Sequence, residues 1–351
     1  MMETKLEDLG WDSGFAETFR ELDREGCVPG RVAQAQRGIY RVWTAAGEVR
    51  AGLSGRLRQD ARTAADLPAV GDWVAVAPAA EGPLPVVAVL PRRTVFSREG
   101  AGHMAGQQVI AANVDTLLLV SGLDRDFNPR RIERSLVLAW ESGAVPVVLL
   151  NKADACADPA PLVAAARAVA PGLPVHVVSA RDGTGLQALD AYLVRGRTVA
   201  LLGSSGVGKS TLVNRLVGHD VQATRAVRSR DGRGQHATTR RELVRLAGGA
   251  LLVDTPGWRE LRLFSDAAAL DQAFADVAAL AEACRFGDCA HDQEPGCAVR
   301  VGLEGARVAS YQKLQAEVRA QAVRQDGRAR SIENRRLRSI HRLAKRFRPR
   351  A

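Results

Sequence analysis

Eight residues constrain this chain more than any other feature: Gly203-Ser204-Ser205-Gly206-Val207-Gly208-Lys209-Ser210. They match G-x-x-x-x-G-K-[ST]. They sit between a β-type run, Thr198–Leu202 (TVALL), and a helix-type run beginning Ser210-Thr211-Leu212. A strand, a glycine-rich turn and a helix in that order form a cradle for phosphate. The glycines let backbone N–H groups turn inward around phosphate oxygens, and the helix N-terminus adds partial positive charge. Lys209 supplies a point charge for the terminal phosphates, and Ser210, with Thr211 beside it, a hydroxyl for Mg²⁺. Such a cradle needs a parallel sheet behind it. Buried-strand runs at Val114–Gly122, Val145–Leu150, Pro174–Ser179 and Ala250–Val253 alternate with helical stretches at Pro129–Gly143, Leu162–Ala170 and Gly185–Leu193. That alternation predicts a parallel sheet with crossover helices.

A second motif, Asn151-Lys152-Ala153-Asp154, closes the run VPVVLL. N-K-x-D selects guanine because the aspartate accepts two hydrogen bonds from the ring N–H and the exocyclic amine. Adenine offers neither donor there and leaves the acceptors unpaired. Asn151 and Lys152 buttress the loop and pack on the base. Ser179-Ala180, at the end of PVHVVS, matches a companion loop whose backbone touches the guanine. Asp254-Thr255-Pro256-Gly257 comes after the strand ALLV. An acid at a strand end there holds Mg²⁺ through water, and Gly257 offers its N–H to a γ-phosphate. Between the phosphate loop and this motif lies the polar stretch Gly232–Arg241 (GRGQHATTRR), which suits a switch. One of its threonines, Thr238 or Thr239, is placed to reach Mg²⁺, and the residues leave both open.

The motif order is rotated. In ordinary small GTPases the phosphate loop precedes N-K-x-D; here N-K-A-D and Ser179-Ala180 come first. The same sheet forms if the old termini are joined and new ones opened elsewhere, so the chain is expected to be a circular permutation. The D-T-P-G segment then leads directly into the C-terminal region.

That C-terminal region reads as mostly helical and includes Cys284-x4-Cys289-x-His291-x5-Cys297. Three thiols and one imidazole close a tetrahedral zinc shell and leave no open position, which predicts a structural ion. Cys27 and Cys156 lie far away and read as plain thiols. Ahead of the nucleotide motifs, residues 28–97 carry short β-type runs broken by Gly and Pro, as in a small barrel of OB or SH3 type. Residues 1–27 read as an amphipathic lead-in, and Pro91–Gly106 as a linker.

The net charge of +10 resides in one place. Residues 319–351 hold twelve basic and two acidic side chains, and the remaining 318 residues balance. Ile332, Leu337, Ile340 and Leu343 recur at helical spacing within this tail, whose charge suits a polyanion; RNA is the expected one. No apolar run is long enough for a membrane span and no secretory signal opens the chain, so a cytoplasmic protein without a membrane partner is expected. No heptad or other self-association pattern appears, and a monomer is expected.

With barrel, permuted motif order and Cys/His module together, the chain closely resembles the bacterial ribosome small-subunit-dependent GTPase A family over about residues 28–315. The resemblance implies a multidomain α/β protein. Its parts would be an N-terminal OB-like β-barrel (28–97), a circularly permuted P-loop GTPase domain (107–265) and a C-terminal helical zinc-binding domain with the basic tail (266–351). It favours OB over SH3. It implies hydrolysis of GTP to GDP, Mg²⁺-dependent and stimulated by the 30S subunit, with contacts to rRNA and a role in late small-subunit maturation. One departure is visible: the family's switch usually reads R-H-T-T-T, and here it reads Gln235-His236-Ala237-Thr238-Thr239.

Ordinary GTPases often place a glutamine after D-x-x-G to orient the attacking water. Here that residue is Trp258, which has no group for the task, so slow intrinsic turnover is expected. His236 in the switch is the local substitute and is similar to the histidine implicated in the family. Lys209 serves catalysis as the phosphate cation. The competing reading is an RNA-binding assembly factor in which guanine nucleotide only sets affinity.

Overall fold

The computed structural model describes residues 5–36, 38–99, 107–218, 241–254 and 267–325. The chain divides into two compact units, Met1–Arg262 and Leu263–Ala351.

The first unit is organised by one sheet of eleven strands. Its nucleotide half contains β8 (Thr116–Gly122), β9 (Val145–Asn151), β10 (Val175–Val177), β11 (Thr198–Leu202), β12 (Arg241–Arg245) and β13 (Leu251–Asp254). These lie in the order β10-β9-β8-β11-β13-β12. Counted from the phosphate-loop strand β11, that order is 6-5-4-1-3-2, the permutation expected from the motifs. All neighbours are parallel except β12 and β13. Leu118, Val147, Leu149, Val199 and Leu252 are fully buried between crossover helices, which is why these strands read as continuous apolar runs. Helices α3 (Pro129–Ser142), α4 (Ala160–Val169) and α5 (Lys209–Val217) form where the sequence places them; Asn128 caps α3 through Arg130 N, and Gly143 ends it at φ +82°. The helix expected over Gly185–Leu193 is only a four-residue 3₁₀ turn, Leu186–Leu189. Leu189 is fully buried and anchors that turn, and the chain must reverse into β11 within nine residues.

The barrel comprises β1 (Val28–Gln36), β2 (Ile39–Thr44), β3 (Gly47–Leu53), β4 (Trp73–Val76) and β5 (Leu84–Val89), with the short helix α2 (Gly55–Asp60) between β3 and β4. Its order is β1-β2-β3-β5-β4, closed by β1 on β4, with β3 and β5 parallel. This is the five-stranded Greek-key barrel of OB type. Strand β1 pairs with β2 along one edge and divides its other edge between two partners. Its first half closes the barrel on β4, and Gln34 and Ala35 pair with Glu242 and Arg241 of β12. The barrel and the nucleotide sheet therefore share one hydrogen-bond ladder. Beside that seam, the Arg245 guanidinium lies 4.6 Å over the Trp43 ring.

Two stretches differ from expectation. Residues 5–27 are more than a lead-in. Leu9 and Phe15, the latter on helix α1 (Ser13–Glu21), pack with Trp73 and Leu90 against the barrel. The expected linker contains a strand, β6 (Val95–Glu99), paired with β7 (Gln107–Ala112). The amphipathic pattern of the first stretch does not reveal the surface it packs on, and the five-residue run of β6 is too short for a periodic signal.

Arg31 joins these parts. It is 2% exposed and donates to the Leu9 carbonyl, to Gly71 O (3.3 Å), to Asn113 O (2.9 Å) and to Thr198 Oγ1 (2.9 Å). Those acceptors belong to the N-terminal segment, the barrel, the chain entering β8 and the first residue of β11. Burial pulls the guanidinium pKa down to about 10, against the pull of Asp115 and Asp72, so it stays charged at neutral pH. Its planar fork reaches acceptors that a lysine ammonium cannot reach together. Replacing Arg31 with Met strands four buried acceptors and is expected to cost about 3 kcal/mol or more. Thermal and urea unfolding of the full chain should show a clearly lowered midpoint, with Arg31→Lys recovering less than half. An unchanged midpoint for Arg31→Met would contradict this role.

Candidate functional site: a nucleotide cradle and a metal cluster

The C-terminal ends of β8, β9, β10 and β11 converge, as ligand-binding ends of open parallel sheets do. The loop after β11 is the candidate phosphate cradle. Gly208 has φ +93°, and a Cβ there would stand 2.3 Å from Asn151 Nδ2. A Cβ on Gly203 would stand 2.2 Å from Val120 O. Only glycine fits at either position. The Lys209 ammonium folds back over the cradle to Gly203 O (2.7 Å) and Ser204 O (2.5 Å). Ser205, Ser210 and Thr211 are exposed at its mouth, while Val207 is buried beneath. A cleft of about 540 Å³ adjoins it, between the cradle and α3, with Arg131, Arg134 and Ser205 among its walls.

Asn151 ends β9 and is 2% exposed. Its Nδ2 donates to Val207 O (2.8 Å), and its Oδ1 accepts from Ala180 N (2.9 Å). One side chain thus fixes the phosphate cradle and the Ser179-Ala180 loop to the N-K-A-D loop. Asp154 lies beside them: Ser179 Oγ donates to its Oδ1 (2.7 Å), and Arg181 Nη1 stands 3.7 Å from Oδ2. The Asp154 carboxylate is thereby aimed but retains acceptor capacity for two neighbouring donors. Lys152 sits at φ +69°, and its ammonium meets Asp124. Asp254 ends β13, across from Glu242 of β12.

The structure brings together Asn151, Lys152, Asp154, Ser179, Ala180 and the loop from Gly203 to Thr211. His236, Thr238, Thr239, Gly257 and Trp258 lie outside the described residues, as does the tail beyond residue 325. Two participants have no motif to reveal them. Arg215 of α5 donates to Arg181 O (2.5 Å) and so supports the Ser179-Ala180 loop, and Asp124 holds Lys152.

In the second unit, helices Ala267–Ala273, Ala275–Ala281, Ala298–Gly302 and Gly305–Gln325 frame a loop with four potential metal ligands. The ligand atoms of Cys284, Cys289, His291 and Cys297 all lie within 4.8 Å of one another. Cys297 Sγ is 3.5 Å and Cys284 Sγ 3.7 Å from His291 Nδ1, and those two sulfurs are 3.9 Å apart. Ligands about 2.0–2.3 Å from a tetrahedral centre stand roughly 3.4–3.8 Å apart, so the cluster can hold a metal ion. His291 is 6% exposed and held at φ +58°, and its carbonyl accepts from Gln312 Nε2 (2.8 Å). Desolvation, then the neighbouring thiols, push the Cys289 thiol up to about 11; a bound cation would reverse this by taking the thiolate.

Comparison with known proteins agrees with this geometry. Residues 89–264 match the family model described as RsgA GTPase. A relative from Opitutus terrae, named small ribosomal subunit biogenesis GTPase RsgA, is 49% identical over 327 residues, covering 89% of each chain. One of the same name from Syntrophotalea carbinolica is 42% identical over 356 residues, covering 98% of each. Among solved structures, YjeQ from Thermotoga maritima aligns with a TM-score of 0.62 at 24% identity, covering 83% of this chain and 98% of that one. YloQ, a circularly permuted GTPase, aligns with a TM-score of 0.60 at 22% identity, covering 85% and 96%. These two share the fold, and the match to the family model with the identities to the two relatives carries the assignment: the chain belongs to the RsgA GTPase family.

Proposed function

We propose that this protein hydrolyses GTP to GDP and phosphate and acts in biogenesis of the small ribosomal subunit, which raises its turnover. The observation that carries the chemistry is the Asn151 side chain, which binds the phosphate cradle and the guanine loop into one site. The biological setting rests on membership of a family whose relatives are named for small-subunit biogenesis.

In this reading Asp154 accepts the two guanine donors, with Ser179 and Ala180 supporting the base and Asn151 and Lys152 buttressing it. The backbone from Gly203 to Gly208, with Lys209, holds the phosphates; Ser210 and Thr211 lie at the helix start. Ser210, Asp254 and one of Thr238 and Thr239 would hold Mg²⁺, which would supply positive charge beside the phosphate oxygens. Gly257 contacts the γ-phosphate. His236 orients the attacking water, a task for which Trp258 has no group. The working division is a barrel over 28–97, a nucleotide domain over 107–265 and a metal-binding helical domain over 266–351. The barrel and the basic tail contact rRNA, since both suit irregular RNA rather than a duplex groove. Among the described residues no helix is long and apolar enough to cross a membrane. The proposed factor acts in the cytoplasm as a monomer.

Phosphate release from GTP and from ATP, with and without purified 30S subunits, tests this directly. GTP-specific turnover should rise strongly with 30S and vanish in Lys209→Ala. His236→Ala should lose about a hundredfold of the stimulated rate. GTP binding with no stimulation by 30S would favour the assembly-factor reading, and an unchanged rate in His236→Ala would remove that residue from the mechanism.

The metal is zinc in this proposal, because three thiolates and one imidazole suit a borderline-soft tetrahedral ion. The purified protein should contain one zinc per chain. Chelation, or Cys289→Ser, should remove it and abolish a separate thermal transition of the C-terminal unit. Full retention of that transition in metal-free protein would contradict a structural zinc.

A further inference from the structure

The loop after β8 lies against the guanine loop. Leu123 N donates to Asn151 O (2.7 Å), which ties the two strand ends together. One residue later, Asp124 Oδ2 accepts from Lys152 Nζ at 2.5 Å, while its Oδ1 accepts from Asp126 N (3.1 Å). The carboxylate is therefore fixed by its own turn before it meets the lysine. Gly122 permits the arrangement: a Cβ there would stand 2.9 and 3.1 Å from the two Asp124 oxygens.

Lys152 occupies the left-handed region at φ +69°, a conformation that disfavours a side chain by about 1–2 kcal/mol. Its ammonium also has a choice of carboxylates. Asp154 is two residues away and is engaged by Ser179 and, at longer range, Arg181. An unanchored Lys152 would carry four freely rotating methylenes and a charge attracted to Asp154. Fixing such a chain costs about 2 kcal/mol of rotamer entropy, and the cost is met before ligand arrives when a partner already holds the ammonium. The Lys152 hydrogen bond keeps the Asp124 carboxyl below the usual carboxylate range, so the partner is charged at neutral pH.

We propose that Asp124 is a positioning residue for guanine binding: it anchors the Lys152 ammonium, so that the lysine chain is ordered at the base site and Asp154 stays free for the purine. The inference rests on the reading of N-K-A-D as the guanine loop. It assigns Asp124 no contact with nucleotide.

The test is titration of the full-length protein with a fluorescent GDP, with stopped-flow dissociation, for wild type, Asp124→Asn, Lys152→Met and the double variant. Asp124→Asn should bind about tenfold more weakly, chiefly through faster release, since a partly exposed charge-assisted hydrogen bond is lost. The KM for GTP should rise while kcat holds. The double variant should be no weaker than Lys152→Met alone, because Asp124 acts only through that lysine. Asp124→Glu should recover part of the loss. Unchanged affinity in Asp124→Asn, or losses that simply add in the double variant, would overturn the proposal. A wild type that binds no GDP would overturn the guanine reading itself, and the two failures are distinguishable in one experiment.

Discussion

The nucleotide site depends on a buried amide. Asn151 spends its donor on the phosphate cradle and its acceptor on the Ser179-Ala180 loop. Three loops from separate crossovers meet there, and the amide ties the cradle to the other two. An aspartate at that position would present no donor to Val207 O, and a leucine would strand both partners in a site closed to water. The circular permutation leaves this arrangement intact because the amide acts across space. The strand order 6-5-4-1-3-2, counted from the cradle, is unaffected by where the chain is opened.

The barrel is joined to that site by backbone and by charge. Strand β1 gives its first half to barrel closure and pairs Gln34 and Ala35 with β12. Strand β12 also pairs along β13, whose last residue is Asp254. The barrel thus shares a ladder with β12, which follows the switch stretch, and through it a sheet with β13, whose last residue opens D-T-P-G. The Arg31 guanidinium binds the same parts from within, and its reach to Thr198 places it at the base of the strand leading into the cradle. A charge in that interior is tolerated because four oriented acceptors replace its hydration.

Much of this was legible in the sequence, for physical reasons. Parallel strands buried on both faces leave continuous apolar runs, so β8, β9 and β11 stand out within a residue or two of their ends. The phosphate cradle and N-K-A-D announce themselves because backbone turns around phosphate and acceptor pairs for guanine admit few residue types. The Cys/His cluster was legible for the same reason: few other uses bring three thiols and an imidazole into fourteen residues. Contacts between distant segments were not legible. Nothing in the sequence sets Asp124 or Arg31 apart from other charged residues, and only the fold shows that one meets a lysine and the other is buried. The packing of Leu9 and Phe15 on Trp73 and the pairing of β6 with β7 were hidden likewise, since each depends on a partner well separated along the chain.

In the proposed function these loops, presented in rotated order, build a guanine site with Asp154 as its reader. Affinities of the Asp154→Asn protein for GDP and xanthosine diphosphate test that role. An amide at that position donates where the carboxylate accepted, and xanthine offers a carbonyl in place of the guanine amine. GDP binding should fall about a hundredfold, and xanthosine diphosphate should become the preferred ligand. An undiminished preference for guanine would rule out Asp154 as the reader.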